Sequence, residues 1–390
     1  MTQIVLTGAG GALGSHLVSK LLAHDPQLEI YAICRSAATA AGLLDSLPTP
    51  NRARLVPLIW DLCDSAATSA VAGQFIGSGP LLGIHCAADV SWRKSAAELY
   101  APNVLASLNF CEALRQSNRS ARIIYVSTAF TRRDATDFKN GYEETKALAE
   151  REVFTHYSDL MPTTFSCSLV TGAGNDGAIS RFHGIYPLLK VLSIYNPPAV
   201  IGDPRKALDI VPLDWVADEL ATHARALTAG FGYSDEVVAT AGPAAAPFKE
   251  VLGLAENEIE AFRRSRGLAF VRPTSIVSRR QFAFLNRAVK TWDTPGSMTR
   301  GMRIWSRLQL LLDGYANYLE SSQVRPPKNV TRPAPLAVSF MPVVMRYWLN
   351  RFGREIESGA RRYISALDDR EPNSKALGVD TFPGDPEDAR

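Results

Sequence analysis

At 390 residues, with 46% hydrophobic and 21% charged side chains, the chain can bury a sizeable core and reads as one large domain plus a smaller one. This composition excludes collagen-like, mucin-like and broadly disordered classes. The net charge of +3 is unevenly placed: residues 1–250 hold 20 basic and 24 acidic side chains, whereas residues 251–390 hold 22 and 15. Five cysteines, Cys34, Cys63, Cys86, Cys111 and Cys167, form no CxxC and no paired spacing. Neither a disulfide framework nor a metal site is supported, and a reducing cytoplasm is expected. The opening MTQIVLTGAG enters a strand-like run at residue 3, so no export leader is expected. The late apolar stretch LAVSFMPVVM (336–345) stops at Arg346, well under the roughly 18 residues a membrane span needs. It leaves peripheral contact with a membrane open.

The first 240 residues alternate short β-branched runs with amphipathic stretches, the pattern of βαβ units and a parallel sheet. Strands are predicted at QIVLTG (3–8), EIYAICR (29–35), ARLVPLIWD (53–61), LLGIHCAA (81–88), ARIIYVSTA (121–129) and TTFSCSLV (163–170). Helices are predicted at SHLVSKLLAH (15–24), NVLASLNFCEALRQS (103–117) and YEETKALAEREVFTHY (142–157). After about residue 245 the alternation gives way to helical stretches. The expected division is therefore a doubly wound Rossmann-type α/β domain over 1–245, a mostly helical region over 246–367, and a polar, disordered tail over 368–390. Residues 261–310 carry eleven basic side chains against one acidic one, Asp293. Such a run is either a solvated helix face or a surface that steers an acidic partner. Phe282, Phe284, Trp292, Trp305, Leu308, Leu310, Leu311 and Leu312 would equally serve as plain core or as an acyl pocket. No nucleic-acid motif accompanies the basic run, so nucleic acid is not an expected partner.

The first strand runs into TGAGGALG, placing Thr7, Gly8, Gly11 and Gly14 in a TGxxGxxG spacing, with Ala12 and Leu13 opening the next helix. Glycines let a backbone turn sharply and approach a pyrophosphate, whose charge then meets free N–H groups at the helix N-terminus. Position between first strand and first helix makes the signal strong. The second strand ends in AICRS, with Arg35 where an NAD-preferring site would carry an acid, which favours NADP(H). Arg35 could also be an ordinary exposed residue. Asp61, at the end of the third strand and followed by Leu62, could accept from the adenine amino group or simply cap a turn.

YxxxK at Tyr142 and Lys146 places a phenol and an ammonium about 6 Å apart along one helix face. Taken alone, Lys146 would more simply pair with Glu143 or Glu150 on a solvated face. It does not stand alone. TGxxGxxG, DL at 61–62, HCAAD at 85–89, NVLAS at 103–107, VSTAF at 126–130 and YxxxK follow in an order that resembles extended short-chain dehydrogenases/reductases. HCAADVSW, NGYEETKALAER, GIYPLLKVLS and LDIVPLDWVADEL are similar to the thioester-reductase and fatty acyl-CoA reductase branch, over roughly residues 1–245.

The resemblance implies a catalytic set of Thr128, Tyr142 and Lys146, with Ser127 as the lesser hydroxyl. It also implies cofactor contacts from Ala87, Ala88, Leu169 and Val170 and from Tyr142 and Lys146. Oxygen that gains charge as its carbon is reduced needs an acid and a second hydroxyl. Tyrosine, with a pKa near 10, needs a neighbouring ammonium to make its phenolate accessible. The implied reaction is hydride transfer from NADPH to an acyl thioester on coenzyme A or an acyl carrier protein, releasing thiol and aldehyde, with alcohol after a second round. Two departures from the pattern stand out. Ser166-Cys167 occupies the place of Arg-Pro, and only fourteen positions separate Thr128 from Tyr142. A nucleotide-sugar or hydroxysteroid-type enzyme shares these motifs, and an NADP(H)-sensing protein without catalysis would keep the loop alone. His85 reads as a packed strand residue.

Overall fold

Alternating β-branched residues become a seven-stranded parallel sheet in the computed structural model, which describes residues 3–77, 79–117, 119–230, 234–270, 274–291, 316–320 and 325–368. Six strands are those expected: β1 (Gln3–Thr7), β2 (Glu29–Cys34), β3 (Leu55–Ile59), β4 (Leu81–His85), β5 (Ala121–Thr128) and β6 (Thr163–Cys167). The seventh, Glu236–Ala239, was not foreseen; it pairs with β6 at one edge, giving the order Glu236–Ala239, β6, β5, β4, β1, β2, β3. The predicted sixth run breaks after Cys167, and Leu169–Thr171 forms a separate short strand outside this sheet.

The chain starts at β1, winds outward to β3 and returns to β4 on the other side of β1. A doubly wound sheet of this kind leaves its ligand crevice at the carboxyl ends of the strands beside that reversal. Every residue of β1 is buried, as expected for a strand covered on both faces. Val5, Tyr31, Ile33, Ile123 and Tyr125 belong to one core with Val71, Phe110, Leu114, Ala149 and Val153 from the helices. The helices Ala12–His24 and Leu213–Thr228 pack on each other. The predicted helix over 103–117 is instead three joined pieces, Ala96–Tyr100, a π-helical turn Ala101–Leu105, and Ala106–Gln116.

The chain divides into two interleaved compact units. One comprises Met1–Val170, Val211–Pro243 and Val324–Ala334; the other comprises Thr171–Ile210, Ala244–Gln323 and Pro335–Arg390. Pairing at long sequence separation is the cause. Within the first unit, Lys328 bridges Val238 in antiparallel fashion, and Arg325 and Lys328 both pair with Glu236. Thr331 donates to the buried carboxylate of Glu219 through N–H (2.6 Å) and Oγ1 (2.8 Å).

The second unit is mostly helical, with Phe248–Ser265, Arg279–Thr291, Ala337–Arg351 and Gly353–Asp368 among its helices. In the apolar stretch around 336–345, Phe340, Met341, Val344 and Met345 are buried, and their helix packs on Phe248–Ser265. No helix among the described residues is long and apolar enough to cross a membrane. Phe282 is buried and Phe284 is 69% exposed, so these two do not share one pocket. Trp292, Trp305, Leu308, Leu310, Leu311, Leu312 and the 369–390 tail lie outside the described residues.

Candidate active site

The glycine turn is dictated by backbone crowding. Gly8 has φ +69°, and a Cβ there would lie 2.8 Å from the Ala87 nitrogen. One on Gly14 would lie 2.1 Å from the Gly8 carbonyl oxygen. Neither site can take a side chain unless backbone moves. Gly11 donates to the Gly8 carbonyl at 2.9 Å and caps the helix Ala12–His24 without a side-chain hydrogen bond to its first N–H groups. That turn holds no acid, so its N–H groups and positive dipole end fit a pyrophosphate. Ala12 and Leu13 begin this helix and are half-buried.

Thr7, at the end of β1, ties the turn to the strand beside it. Its Oγ1 lies 2.9 Å from His85 Nδ1 and accepts from the Ala87 N–H at 3.2 Å. On the other side, His85 Nε2 lies 3.0 Å from Ser107 Oγ, which donates to the Asn103 carbonyl at 2.6 Å. These bonds assign the proton to Nε2. Burial depresses the imidazole to about 3, so His85 is a neutral packing residue, as its strand position suggested. Ala87 and Ala88 follow it, half-buried, at the carboxyl edge of the sheet.

Arg35 is exposed immediately beyond β2, and Ser36 caps the next helix through the Thr39 N–H at 3.2 Å. Asp61 is exposed and accepts from the Cys63 N–H at 3.0 Å, the turn-capping role weighed as its alternative. The Leu62 carbonyl accepts from Asn109 at 2.7 Å. Leu169 and Val170 are half-buried in the short strand after β6.

Tyr142 and Lys146 lie on the helix Gly141–His156. Asn140 caps it by accepting from the Glu143 N–H at 3.0 Å, while the Glu143 carboxylate accepts from the Lys139 N–H at 2.9 Å. Glu143 is thus a buried capping residue. The solvated-face reading of this helix fails, because Glu143, Lys146 and Glu150 are 1%, 2% and 5% exposed. Lys146 Nζ donates to the Val126 carbonyl at 2.7 Å and sits 4.1 Å from the centre of the Tyr125 ring. Burial lowers its pKa to about 8, opposed by the Glu150 carboxylate.

Tyr142 is displaced the other way. Burial, then Cys167 and Glu143, push its phenol above the usual tyrosine range. The phenol therefore stays protonated near neutrality. Thr128 is buried at the end of β5, opposite Cys167 in register, and its Oγ1 accepts from the Phe130 N–H at 3.3 Å. Burial also raises the Cys86 and Cys167 thiols, to about 12 and 11.

Asn103, in the π-helical turn, is the residue that reasoning from sequence missed. Its Oδ1 accepts from the Asp89 N–H at 2.7 Å, and its Nδ2 donates to the Asp89 carbonyl and Thr145 Oγ1, each at 3.0 Å. It joins the segment after β4 to the helix that bears Tyr142 and Lys146. π-turns recur at functional sites, and NVLAS was the available signal.

Four of the eleven basic side chains expected over 261–310 are engaged by partners in the second unit. Arg263 is buried, with its guanidinium on the carbonyls of Ala269, Ser193 and Ile194 at 2.7, 2.6 and 3.1 Å. Arg264, Arg266 and Arg279 pair with Glu260, Glu357 and Glu320 at 2.6, 3.1 and 3.3 Å.

An NAD-binding family model described as male sterility protein matches residues 6–46, 82–137 and 130–220. No curated protein matches. Among solved structures, the terminal R domain of the myxalamid PKS-NRPS biosynthetic pathway is similar, with 18% identity and a TM-score of 0.62, covering 91% of this chain and 92% of that one. A thiolation-reductase di-domain from an archaeal non-ribosomal peptide synthetase gives 15% and 0.62, covering 90% and 76%. UDP-glucose 4-epimerase of Thermotoga maritima gives 13% and 0.56, covering 90% and 99%. At these identities the likeness concerns the fold.

Proposed function

We propose that the chain, whose residues 6–46 and 82–220 match the male sterility protein family model, is an NAD(P)-dependent extended short-chain dehydrogenase/reductase that reduces acyl thioesters with NADPH. The observation that carries this reading is a half-buried, protonated phenol at Tyr142 one turn along the helix Gly141–His156 from a buried ammonium at Lys146. The uncapped glycine turn and the helix after it would hold the pyrophosphate, with Gly8 and Gly14 admitting it closely. Arg35, exposed at the end of β2, would meet a 2′-phosphate, which favours NADPH over NADH. Asp61, Leu62, Ala87, Ala88, Leu169 and Val170 would line the remainder of the cofactor.

When bound, the reduced nicotinamide supplies hydride to the acyl carbon. Tyr142 Oη donates its proton to the carbonyl oxygen as charge develops there, and the Thr128 hydroxyl hydrogen-bonds the same oxygen. Lys146 stabilises the tyrosinate left behind and would also donate to the nicotinamide ribose. The resulting hemithioacetal loses its thiol and gives the aldehyde. A second round gives the alcohol.

One structurally similar protein is a thiolation-reductase di-domain and another the terminal R domain of a PKS-NRPS pathway, which supports a thioester on coenzyme A or an acyl carrier protein. Five free thiols accord with a cytoplasmic site of action. The test supplies pure protein and NADPH with acyl-coenzyme A, acyl-carrier protein, free aldehydes, nucleotide sugars and a hydroxysteroid, and identifies products by mass spectrometry. Aldehyde or alcohol from the thioesters supports the proposal. Turnover of a nucleotide sugar or steroid alone overturns it, and cofactor binding with no turnover points to a sensor.

A further inference from the structure

Behind the reacting groups lies a buried carboxylate that the proposed chemistry does not use. Glu150 follows Lys146 by four residues, one turn along the same helix, and is 5% exposed. Its Oε1 accepts from Thr164 Oγ1, on β6, at 3.1 Å. We infer that Glu150 is a positioning residue, whose ionised carboxylate keeps the Lys146 ammonium charged in its dry seat between strand β5 and the helix.

The seat offers Lys146 little else. It has one carbonyl, that of Val126, and the face of the Tyr125 ring. A buried ammonium held so sparsely loses its proton easily, and burial is the largest influence on Lys146. The other titratable groups that bear on it are Cys86 after β4, Cys167 at the end of β6, and His85 on β4. Both thiols and the imidazole are neutral near pH 7, because burial raises the first two and lowers the third. Of these groups, Glu150 alone brings a negative charge.

The carboxylate is itself supported. Burial raises its pKa, while the Thr164 hydroxyl on β6, together with the charges of Arg133 and Lys146, acts in the opposite sense. Arg133 is anchored over the Phe154 ring at 4.1 Å and pairs with Asp235 at 3.8 Å. Charge on Glu150 therefore depends on the Thr164 hydroxyl that donates to it, and charge on Lys146 depends on Glu150.

The inference rests on the reading that Lys146 serves the reaction, but its first test needs no substrate. In protein labelled with ¹³C-lysine, the Cε resonance of Lys146, assigned by its loss in Lys146→Arg, should titrate near pH 8 in the parent. Glu150→Gln should lower that midpoint by about one unit, the scale of an opposite charge a helical turn away. Thr164→Val keeps the carboxylate but removes its hydrogen bond, so it should move the midpoint the same way by less. Glu150→Asp should restore most of the parent value. The alkaline limb of the turnover profile with NADPH should follow the lysine midpoint in each variant. A purely structural role for Glu150 would change melting temperature and leave the midpoint in place. An unchanged midpoint in folded Glu150→Gln, or in Thr164→Val should the first variant not fold, overturns the inference. A shifted midpoint without turnover of any thioester leaves it standing and sinks the substrate reading.

Discussion

The sheet unit and the helical unit contain charged residues of similar prominence in sequence, yet the structure uses them differently. In the sheet unit, Lys146 and Glu150 are buried with few partners beside a protonated phenol, an arrangement that stability alone would not favour. In the helical unit, Arg263, Arg264, Arg266 and Arg279 are each held by carbonyls or carboxylates that satisfy them. A surplus of basic residues over 251–390 is therefore not a measure of free positive surface. Incompletely compensated burial is the better pointer to chemistry.

Substitutions that respect this contrast should rank by how directly they touch the first unit's site. Gly14→Ala would place a methyl 2.1 Å from the Gly8 carbonyl and should weaken NADPH binding more than about 100-fold in a fluorescence titration, because the backbone cradle must open. Gly42→Ala is its control. Nothing lies within 4 Å of a Cβ there, and in the helix Ala37–Asp45 the change should stabilise by about 0.5–1 kcal/mol in thermal melts.

Lys146→Met should abolish turnover and yet stabilise the fold near neutrality. The folded pKa of Lys146, about 8, lies below the ordinary lysine value, so the unfolded chain holds the proton more tightly. The resulting penalty is fully present below pH 8 and fades as pH rises toward about 10.4. Melting curves should show the variant ahead by up to about 3 kcal/mol at pH 6–7, with the gap closing at alkaline pH. Equal stability at both ends would remove Lys146 from its uncompensated state.

Arg35→Asp should turn the NADPH-over-NADH preference by about 10-fold or more, read as a ratio of Kd values; an unchanged ratio would detach Arg35 from the 2′-phosphate. Reversal of Arg279 and Arg280 should produce the smallest effect, a rise of a few-fold in KM for a carrier-bound thioester at low salt. Arg279 is already paired with Glu320, so part of the effect should appear as lost stability. A large effect at high salt would erase the contrast between the units.

Much of the sheet unit was legible because its signals are local. The β-branched runs placed β1, β2, β4 and β5 to within three residues, and the glycine spacing follows from contacts within a single turn. Glu236–Ala239 escaped because a four-residue strand gains its identity from pairing with β6 and Lys328, both distant in sequence. Taken alone, YxxxK reads as part of a charged, solvated helix face, since only packing reveals that Glu143 caps the helix Gly141–His156 and that Glu150 faces the sheet. Asn103 was quoted within a motif, but its bonds to Asp89 and Thr145 arise from a π-turn that no periodicity announces. The interleaving of the two units was likewise hidden, because Thr331 meets Glu219 across more than a hundred residues.

The account turns on whether the Tyr142 phenol delivers the proton when a thioester carbonyl is reduced. NADPH deuterated at the transferred position, mixed with an acyl thioester, should yield deuterated aldehyde or alcohol with the parent protein. With Tyr142→Phe, rates should fall about 100-fold to 10,000-fold while NADPH still binds. Equal deuterium incorporation and rate in the two proteins would contradict the account.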